Sequence, residues 1–443
     1  MNKKSSLITP SKLIELLSEQ LYDLPDKRTG ENTKYEVKEA VMAAFSVFFT
    51  QSGSFLENQR IMKENKGKNN AKSLFGISKI PSDNQIRNLL DVIEAKKVFG
   101  TFKKVLSWLK KSKIIEEFKY LKKEILVSLD GTEYYCSKKI SCSHCNQRNH
   151  KNGDISYYHQ VITPVIVSPL KKQVINLEPE FIRKQDGKTK QDCENVATKR
   201  WLLRNKIDRK KEKITLLGDD LYSRQPICEM AIKQGYNFIF VAKESSHQSL
   251  YEWIEYLQKN GEVVSGEFTR YEKAKQRIYK YKYVNNVPMR ELEPSLMVNW
   301  LEVEVIDVKK NKVIYKNSWI TNHTIKKELV EPIIISGRTR WKVENEGNNI
   351  LKNQGYKLEH NYGHGQENLS EILLTLNLIA FLFHNVLELA NEVYQKVRKK
   401  LVVRKSFFNE IRTLLKYIWF KDWSELLIYM LTRGEKRKLI DTS

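Results

Sequence analysis

The sequence has no long hydrophobic run. Its longest apolar stretch, residues 372–383, has 12 residues and includes Thr375 and Asn377, whereas a membrane-spanning helix needs about 20 apolar residues. Near the N-terminus, Thr9 and Pro10 interrupt the run that follows the first two lysines, so we find no hydrophobic region of a signal peptide. We therefore expect a buried core helix at 372–383, no membrane partner and a cytoplasmic location.

Cysteine is scarce as well, with five residues in 443. An odd number in a reducing compartment argues against a disulfide framework. Three cysteines nevertheless fall within ten residues, and a Cys-x2-Cys pair has the spacing of zinc ligands. Cys142 and Cys145 are therefore candidate ligands of a structural Zn²⁺, with Cys136, His144 and His150 as further candidates. Reduced cysteines without a metal are the alternative.

Acidic residues are few relative to basic ones: 53 Asp and Glu face 77 Lys and Arg, a net charge of +24. The chain is not a disordered basic tail, because 41% hydrophobic and 10% aromatic residues can bury a sizeable core. Such an excess of positive charge is typical of proteins that bind a polyanion, such as nucleic acid. A generally basic proteome is the alternative.

The pattern along the chain predicts helices at both ends and strands between them. The first 120 residues read as helical, with an exposed loop at 65–81 and a lysine-rich helix at 102–123. Apolar, β-rich runs and helical segments then follow in the order strand, strand, strand, helix, strand, helix, strand. These segments are 125–130, 157–167, 173–177, 190–205, 214–218, 225–235 and 236–242.

That order predicts an α/β fold, an RNase H-like mixed sheet flanked by helices. Alternating runs at 260–325 interrupt it and indicate a β-rich insertion. We expect five regions: a helical N-terminal region expected to bind DNA, the first part of the RNase H-like core, the insertion, the second part of the core with the helix that follows the insertion, and a basic helical C-terminal region. Their expected ranges are 1–122, 123–259, 260–325, 326–398 and 399–443.

Two carboxylates end apolar strands that should be neighbours in this sheet. Asp130 follows the first strand and Asp219 the fourth, 89 positions later. Side by side, they would offer the hard oxygen ligands that Mg²⁺ or Mn²⁺ prefers. A third carboxylate, Glu344, lies one helical turn after Arg340, and Trp341 could anchor that helix. A strand-terminal Asp that only caps a loop is the alternative.

These stretches together resemble the insertion-sequence DDE transposases whose RNase H-like domain carries a β-rich insertion. The resemblance rests on Leu129-Asp130-Gly131-Thr132, Leu217-Gly218-Asp219-Asp220-Leu221-Tyr222, Thr321-Asn322 and Arg340-Trp341-Lys342-Val343-Glu344. The family's last motif usually has a tyrosine where this chain has Gly337 and a lysine where it has Leu351, one position before Lys352.

The resemblance implies a DNA transposase that uses Mg²⁺ or Mn²⁺ to cut and join strands at insertion-sequence ends. Asp130, Asp219 and Glu344 would be the catalytic metal ligands, and Arg340 and Lys352 would bind DNA phosphates. The partners would be double-stranded DNA, as transposon ends and as target, and a second copy in a homodimeric synapse. The location would be a bacterial-type cytoplasm, nucleoid-associated on DNA. An inactive DNA-binding descendant and a stand-alone RNase H-like nuclease are the alternatives.

Further residues are candidates for a role at the site. Asp220 competes with Asp219, and Glu346 with Glu344, for the metal-binding role. Segment 190–194, with Arg200 and Trp201, could support the metal site; solvated charge with a core tryptophan is the alternative.

Two aromatic groups could contact DNA. His360 and His364 could contact phosphate. Trp300 and Trp319 could stack on a base, and the alternative is that they belong to the core. Candidate tracks for DNA phosphates are the basic segments 102–123, 277–282 and 396–405.

Overall fold

The computed structural model describes residues 8–29, 34–183, 193–272 and 274–433. The helices are α1 Pro10–Glu19, α2 Val37–Phe49, α3 Phe55–Lys63, α4 Asn65–Phe75, α5 Asp83–Asp91, α6 Gly100–Lys111, α7 Glu194–Arg204, α8 Gln225–Lys233, α9 Gln248–Lys259, α10 Lys327–Thr339, α11 Asn349–Asn353, α12 Leu369–Ala390, α13 Glu392–Lys400, α14 Arg404–Tyr417 and α15 Trp423–Thr432. The strands are β1 Ile125–Ser128, β2 Gly131–Ser137, β3 Asn146–Asn149, β4 Ile155–Ile162, β5 Val165–Val167, β6 Ile175–Asn176, β7 Glu180–Ile182, β8 Ile214–Gly218, β9 Asn237–Val241, β10 Val264–Glu272, β11 Lys275–Pro288, β12 Met297–Asp307 and β13 Lys312–Thr321. Single turns of 3-10 helix lie at Ala95–Val98, Ile114–Phe118, Leu121–Lys123 and Glu244–Ser246, and a π-helical segment lies at Val343–Asn348.

A large mixed sheet forms the centre of the molecule. Its strand order is β10-β11-β12-β13-β9-β8-β1-β5-β6. Strands β1, β8 and β9 run parallel to one another, whereas β5 and β6 pair in antiparallel fashion on the other side of β1. The predicted mixed sheet with flanking helices is therefore present. The strands predicted at 260–325 extend the same sheet, because β13 pairs antiparallel with β9.

A second, smaller sheet is formed by β2, β3 and β4, which lie between β1 and β5 in the chain, and by β7. Strand β4 pairs with β2, β3 and β7. The single strand expected at 157–167 is thus wrong: it divides at Thr163 and Pro164 into β4 and β5, which join different sheets. Proline lacks the N–H that a ladder needs, so a strand tends to end there.

Residues 65–81 also differ from the sequence-based expectation, because the first 11 of these 17 residues form helix α4 and not a loop. The Asn70 side chain donates hydrogen bonds to the carbonyl oxygens of Leu415 and Ile418, and Leu74 is buried. Gly76 then ends the helix with φ 69°, a conformation that glycine adopts at no steric cost. Tertiary contacts with the C-terminal helices stabilise α4, in which three Asn, a Gly and a Ser are weak helix formers.

One large hydrophobic core joins the helical ends of the chain to the sheet. Phe45 on α2 packs edge-on against Phe383 on α12, with ring centroids 5.6 Å apart, and Phe49 packs against Trp423 on α15 at 5.0 Å. Helix α12 is long and apolar enough to cross a membrane, yet nearly all of its most apolar window is buried inside the protein. The expected core helix therefore lies where the sequence indicates.

Several charges of the predicted DNA tracks have partners within the protein. Arg277 is buried and pairs with Asp307 at 2.5 Å, so the expectation that it faces DNA is wrong. Arg398 and Arg404 both contact Glu388, at 3.5 and 3.4 Å. These arginines hold elements together, which leaves the exposed lysines of the same segments as the charges that can meet a polyanion.

Candidate active site

The ends of two parallel strands bring Asp130 and Asp219 to the same level of the sheet. Ser128 on β1 pairs with Leu217 on β8, and each aspartate lies two residues further along. The backbone N–H of Leu129 also donates to the carbonyl oxygen of Leu217 at 2.9 Å, so the pairing continues beyond the strands. The two carboxylates therefore leave the same edge of the sheet.

Glu344 lies on the π-helical segment that follows α10. This segment docks on the end of β1, since Asn348 donates from Nδ2 to Oδ2 of Asp130 at 2.9 Å and Thr163 donates from Oγ1 to Oδ1 of Asn348 at 3.0 Å. Glu344 is half exposed and forms an ion pair with Arg340, Nη1 to Oε1, at 2.6 Å. Such π-helical turns often occur at functional sites, and here the turn carries the third predicted carboxylate.

Asp130 is the electrostatic centre of the site. Burial raises its pKa to about 7, and the negative charges of Glu344, Glu194 and Asp219 act in the same direction, against the opposing effect of Arg340. Three further carboxylates therefore lie near enough to Asp130 to raise its pKa, and Arg340 opposes them. Carboxylate oxygens are the type of ligand that Mg²⁺ or Mn²⁺ prefers, so the donor type fits a divalent cation.

Glu194 is the member of this cluster that the sequence offered only as part of segment 190–194, with support for the metal site as one of two readings. It lies in the first turn of α7, where the Tyr222 hydroxyl donates a hydrogen bond to Oε1. Burial raises its pKa, while the hydrogen bond from Tyr222 lowers it. A Cβ on Gly131 would lie 2.4 Å from Oε2 of Glu194, so the glycine after Asp130 gives this carboxylate its space.

The rest of that helix is structural. Trp201 is buried and donates its indole N–H to the Glu178 carbonyl oxygen at 3.1 Å, and Arg200 pairs with Glu180 at 2.7 Å. Residues 190–192 of the same predicted segment lie outside the described residues. Only Glu194 of the described part thus reaches the carboxylate cluster.

The competing acids have other partners. Asp220 accepts hydrogen bonds from the Lys243 backbone N–H at 2.7 Å and from the Ser246 hydroxyl at 2.5 Å. Glu346 acts on Lys342: burial lowers the pKa of the Lys342 ammonium, and the negative charge of Glu346 raises it. Asp219, by contrast, contributes to the pKa shifts of both Asp130 and Glu194.

The expectation that Trp341 anchors the catalytic helix is wrong, since its side chain is 44% exposed. Trp319 on β13 does this instead: it is fully buried, and its ring lies 2.7 Å from where a Cβ on Gly337 would be. A tyrosine would collide with that ring, which explains the glycine at this position.

Other residues considered for DNA contact have partners within the protein. Lys352, expected to bind a DNA phosphate, pairs with Glu359 at 2.8 Å. Trp300 is buried like Trp319, so neither is available to stack on a base.

A second cluster of chemically active side chains lies at the small sheet. Cys142, Cys145, His159 and His364 each direct one ligand atom to a common point, and these four atoms lie within 4.8 Å of one another. Contacts with Cys145 and the two histidines lower the pKa of the Cys142 thiol. Sequence reasoning found the two cysteines but neither histidine of this set.

The other ligands considered for zinc lie elsewhere. Cys136 is exposed, and the His150 ring bonds the Ser156 hydroxyl at 2.9 Å. His144 faces the Glu371 carboxylate at 3.6 Å. His360 packs edge-on against Tyr362, whereas His364, expected as a phosphate contact, is 7% exposed and meets the cysteines; that expectation is wrong for His364.

No known protein family matches this sequence, and no curated protein matches it either. Among solved structures, the chain is similar to one described as a cryo-EM structure of the piggyBac transposase synaptic complex with hairpin DNA. The TM-score is 0.41 and the identity 9%, and the alignment covers 100% of this chain and 86% of that chain. A similarity of this size assigns neither a family nor an activity to this chain.

Proposed function

We propose that this protein is a DNA transposase that cuts and joins phosphodiester bonds at the ends of an insertion sequence. The observation that carries the proposal is that Asp130 and Asp219 follow the ends of a parallel strand pair, with Glu344 near enough to act on the pKa of Asp130. The strand order β6-β5-β1-β8-β9, antiparallel on one side of β1 and parallel on the other, supports an RNase H-like core around them.

The three predicted carboxylates would hold Mg²⁺ or Mn²⁺, with Glu194 beside them. A divalent cation held there would activate the attacking water or hydroxyl and would stabilise charge on the leaving oxygen. Asn348 fixes the orientation of the Asp130 carboxylate through its 2.9 Å hydrogen bond. Arg340 orients Glu344 through their ion pair, and its planar guanidinium suits phosphate recognition.

Two displacements at phosphorus account for cutting and joining. In the first, a water oxygen bonds to phosphorus, the bond to O3′ breaks, and a free 3′-hydroxyl remains on the element. In the second, that hydroxyl attacks a target phosphodiester, and a target 3′-hydroxyl leaves. The net charge of +24 favours double-stranded DNA as the partner through phosphate contacts, and joining two ends calls for a homodimer in the synapse.

The test uses the full-length protein, Mg²⁺ and a plasmid that carries the reading frame with its flanking DNA. We expect strand breaks at inverted repeats on both sides and covalent joining of the freed ends to a second plasmid, both mapped by sequencing. Asp130→Asn and Asp219→Asn should lose cutting and joining, whereas Glu346→Gln should keep them.

Each alternative gives a different result in this assay. Cutting without joining would indicate a stand-alone nuclease, and binding of the repeats without cutting would indicate an inactive DNA-binding descendant. Either outcome, or full activity in Asp130→Asn, contradicts the proposal.

A further inference from the structure

We propose that Cys142, Cys145, His159 and His364 bind one Zn²⁺ in a closed, tetrahedral structural site. The four residues come from three separate parts of the chain: the turn between β2 and β3, strand β4 and the loop before α12. This site is distinct from the carboxylate cluster and does not depend on the proposed transposase activity.

Four of the six distances between the ligand atoms match those around a zinc ion, and the other two are no longer than 4.8 Å. The two Sγ atoms lie 3.9 Å apart, and Nε2 of His159 lies 3.5 and 3.4 Å from Sγ of Cys142 and Cys145. Nε2 of His364 lies 3.5 Å from Sγ of Cys145. With Zn–S near 2.3 Å and Zn–N near 2.0 Å, tetrahedral geometry gives S–S separations of about 3.8 Å and S–N separations of about 3.5 Å.

A disulfide and ordinary core packing both fit these atoms less well than a metal ion does. A disulfide needs sulfur atoms about 2.05 Å apart, whereas these lie 3.9 Å apart. Core packing does not require four donors from three segments to converge on one point. Thiolate and imidazole ligands favour Zn²⁺ over Mg²⁺, and a four-residue set leaves no open position for substrate.

The surrounding structure holds the ligands in place. The backbone N–H of Cys142 points at Sγ of Cys145 at 3.5 Å, and the Cys145 N–H donates to the Cys142 carbonyl oxygen at 3.2 Å. The Tyr135 ring packs on the His364 ring, with centroids 4.2 Å apart. Cys145, His159 and His364 are buried, so a metal there would be shielded from solvent.

A zinc ion at this site would link the small sheet, through His159 on β4, to the loop before helix α12, through His364. The loop that carries His364 is fixed from its other end by Asp91, whose carboxylate accepts backbone N–H groups of Gln366 and Leu369. Strand β2, whose Tyr135 packs on His364 and pairs with His159, begins at Gly131, directly after Asp130. Zinc would thus restrain the strand that leads away from the carboxylate cluster.

Metal analysis of the purified full-length protein tests the proposal. We expect about one zinc per chain, since a structural site of this type retains its ion. Removal by a chelator followed by Co²⁺ titration should produce the absorption bands of tetrahedral cobalt with a thiolate charge-transfer band. Cys145→Ser and His364→Ala should bind less than about one-tenth as much metal, whereas the matched control Cys136→Ser should bind as much as wild type.

The zinc content and the cobalt spectrum of the wild-type protein test the proposal even where a variant fails to fold. Wild-type protein that carries no zinc and shows no thiolate–cobalt band overturns the proposal, and so does zinc that remains stoichiometric in folded Cys145→Ser. Loss of zinc from Cys136→Ser would contradict the ligand set.

Discussion

The Tyr222 hydroxyl donates a hydrogen bond to Oε1 of Glu194, and the same carboxylate lies against Gly131, the residue after Asp130. Tyr222 is itself fully buried, so the bond fixes a glutamate from α7 at the ends of β1 and β8. A carboxylate in that position adds negative charge beside Asp130. It therefore has a direct bearing on any cation or phosphate that binds there.

We expect Glu194→Gln to reduce DNA cleavage by about 10- to 100-fold, the usual effect of losing a group that supports metal ligands. The substitution keeps the size of the side chain and removes a negative charge, so DNA binding in the absence of Mg²⁺ should be no weaker than in wild type. Initial rates of plasmid nicking against Mg²⁺ concentration measure the effect. Glu346→Gln is the matched control, and equal rates in both variants would show that Glu194 has no role in the reaction.

Gly131→Ala should displace the same carboxylate without removing it. The added Cβ would lie 2.4 Å from Oε2 of Glu194, so the carboxylate must move and give up its hydrogen bond from Tyr222. We expect a loss of about 1–3 kcal/mol of unfolding free energy, the cost of an unpaired buried hydroxyl, together with a fall in cleavage comparable to that of Glu194→Gln. Urea denaturation and the nicking assay measure the two effects; wild-type cleavage would show that the glutamate can move without consequence.

Gly337→Ala should destabilise the protein, because here the neighbour is rigid. The new Cβ would lie 2.7 Å from the buried ring of Trp319, and overpacking of this kind costs about 1–3 kcal/mol. The matched control is Gly347→Ala, where the nearest atom would be 3.8 Å away and alanine is the better helix former. The urea concentration at the unfolding midpoint should be lower in Gly337→Ala than in wild type, and equal or higher in Gly347→Ala. The reverse order would contradict the packing argument.

The sequence predicts well those parts of the site that follow from local pattern. Apolar runs at 125–130 and 214–218 each end in aspartate, and parallel neighbours must then bring both acids to one edge of the sheet. The position of Glu194 depends instead on how α7 docks on the strand ends. Its neighbours in the sequence are polar and charged, so the local pattern is that of a solvated helix end.

The cysteine cluster shows the same limit. Cys142 and Cys145 carry their own signal in their spacing, but His159 lies inside a strand and His364 is 219 positions beyond Cys145. Only the pairing of β4 in the small sheet and the docking of the loop before α12 bring the two histidines to the thiols. The π-helical segment that carries Glu344 likewise has no sequence signature, since it forms where the helix docks on β1.

His384 makes stability depend on pH in a defined direction. It is buried on α12, where Nδ1 bonds the Tyr356 hydroxyl at 2.6 Å; burial lowers its pKa well below the ordinary value, and Arg404 and Arg398 add to the effect. Between the ordinary pKa of about 6.5 and the lower folded value, the unfolded chain binds a proton that the folded chain does not. Stability therefore falls as pH drops through this range.

From pH 7 to 5.5, this single group should remove about 1 kcal/mol of unfolding free energy. In His384→Gln the same drop in pH should cost about 1 kcal/mol less than in wild type, because glutamine does not titrate while its amide can still reach the Tyr356 hydroxyl. Urea denaturation of both proteins at the two pH values measures the difference, and titrations elsewhere cancel in the comparison. Equal losses would mean that His384 takes up its proton in the folded protein as readily as in the unfolded chain.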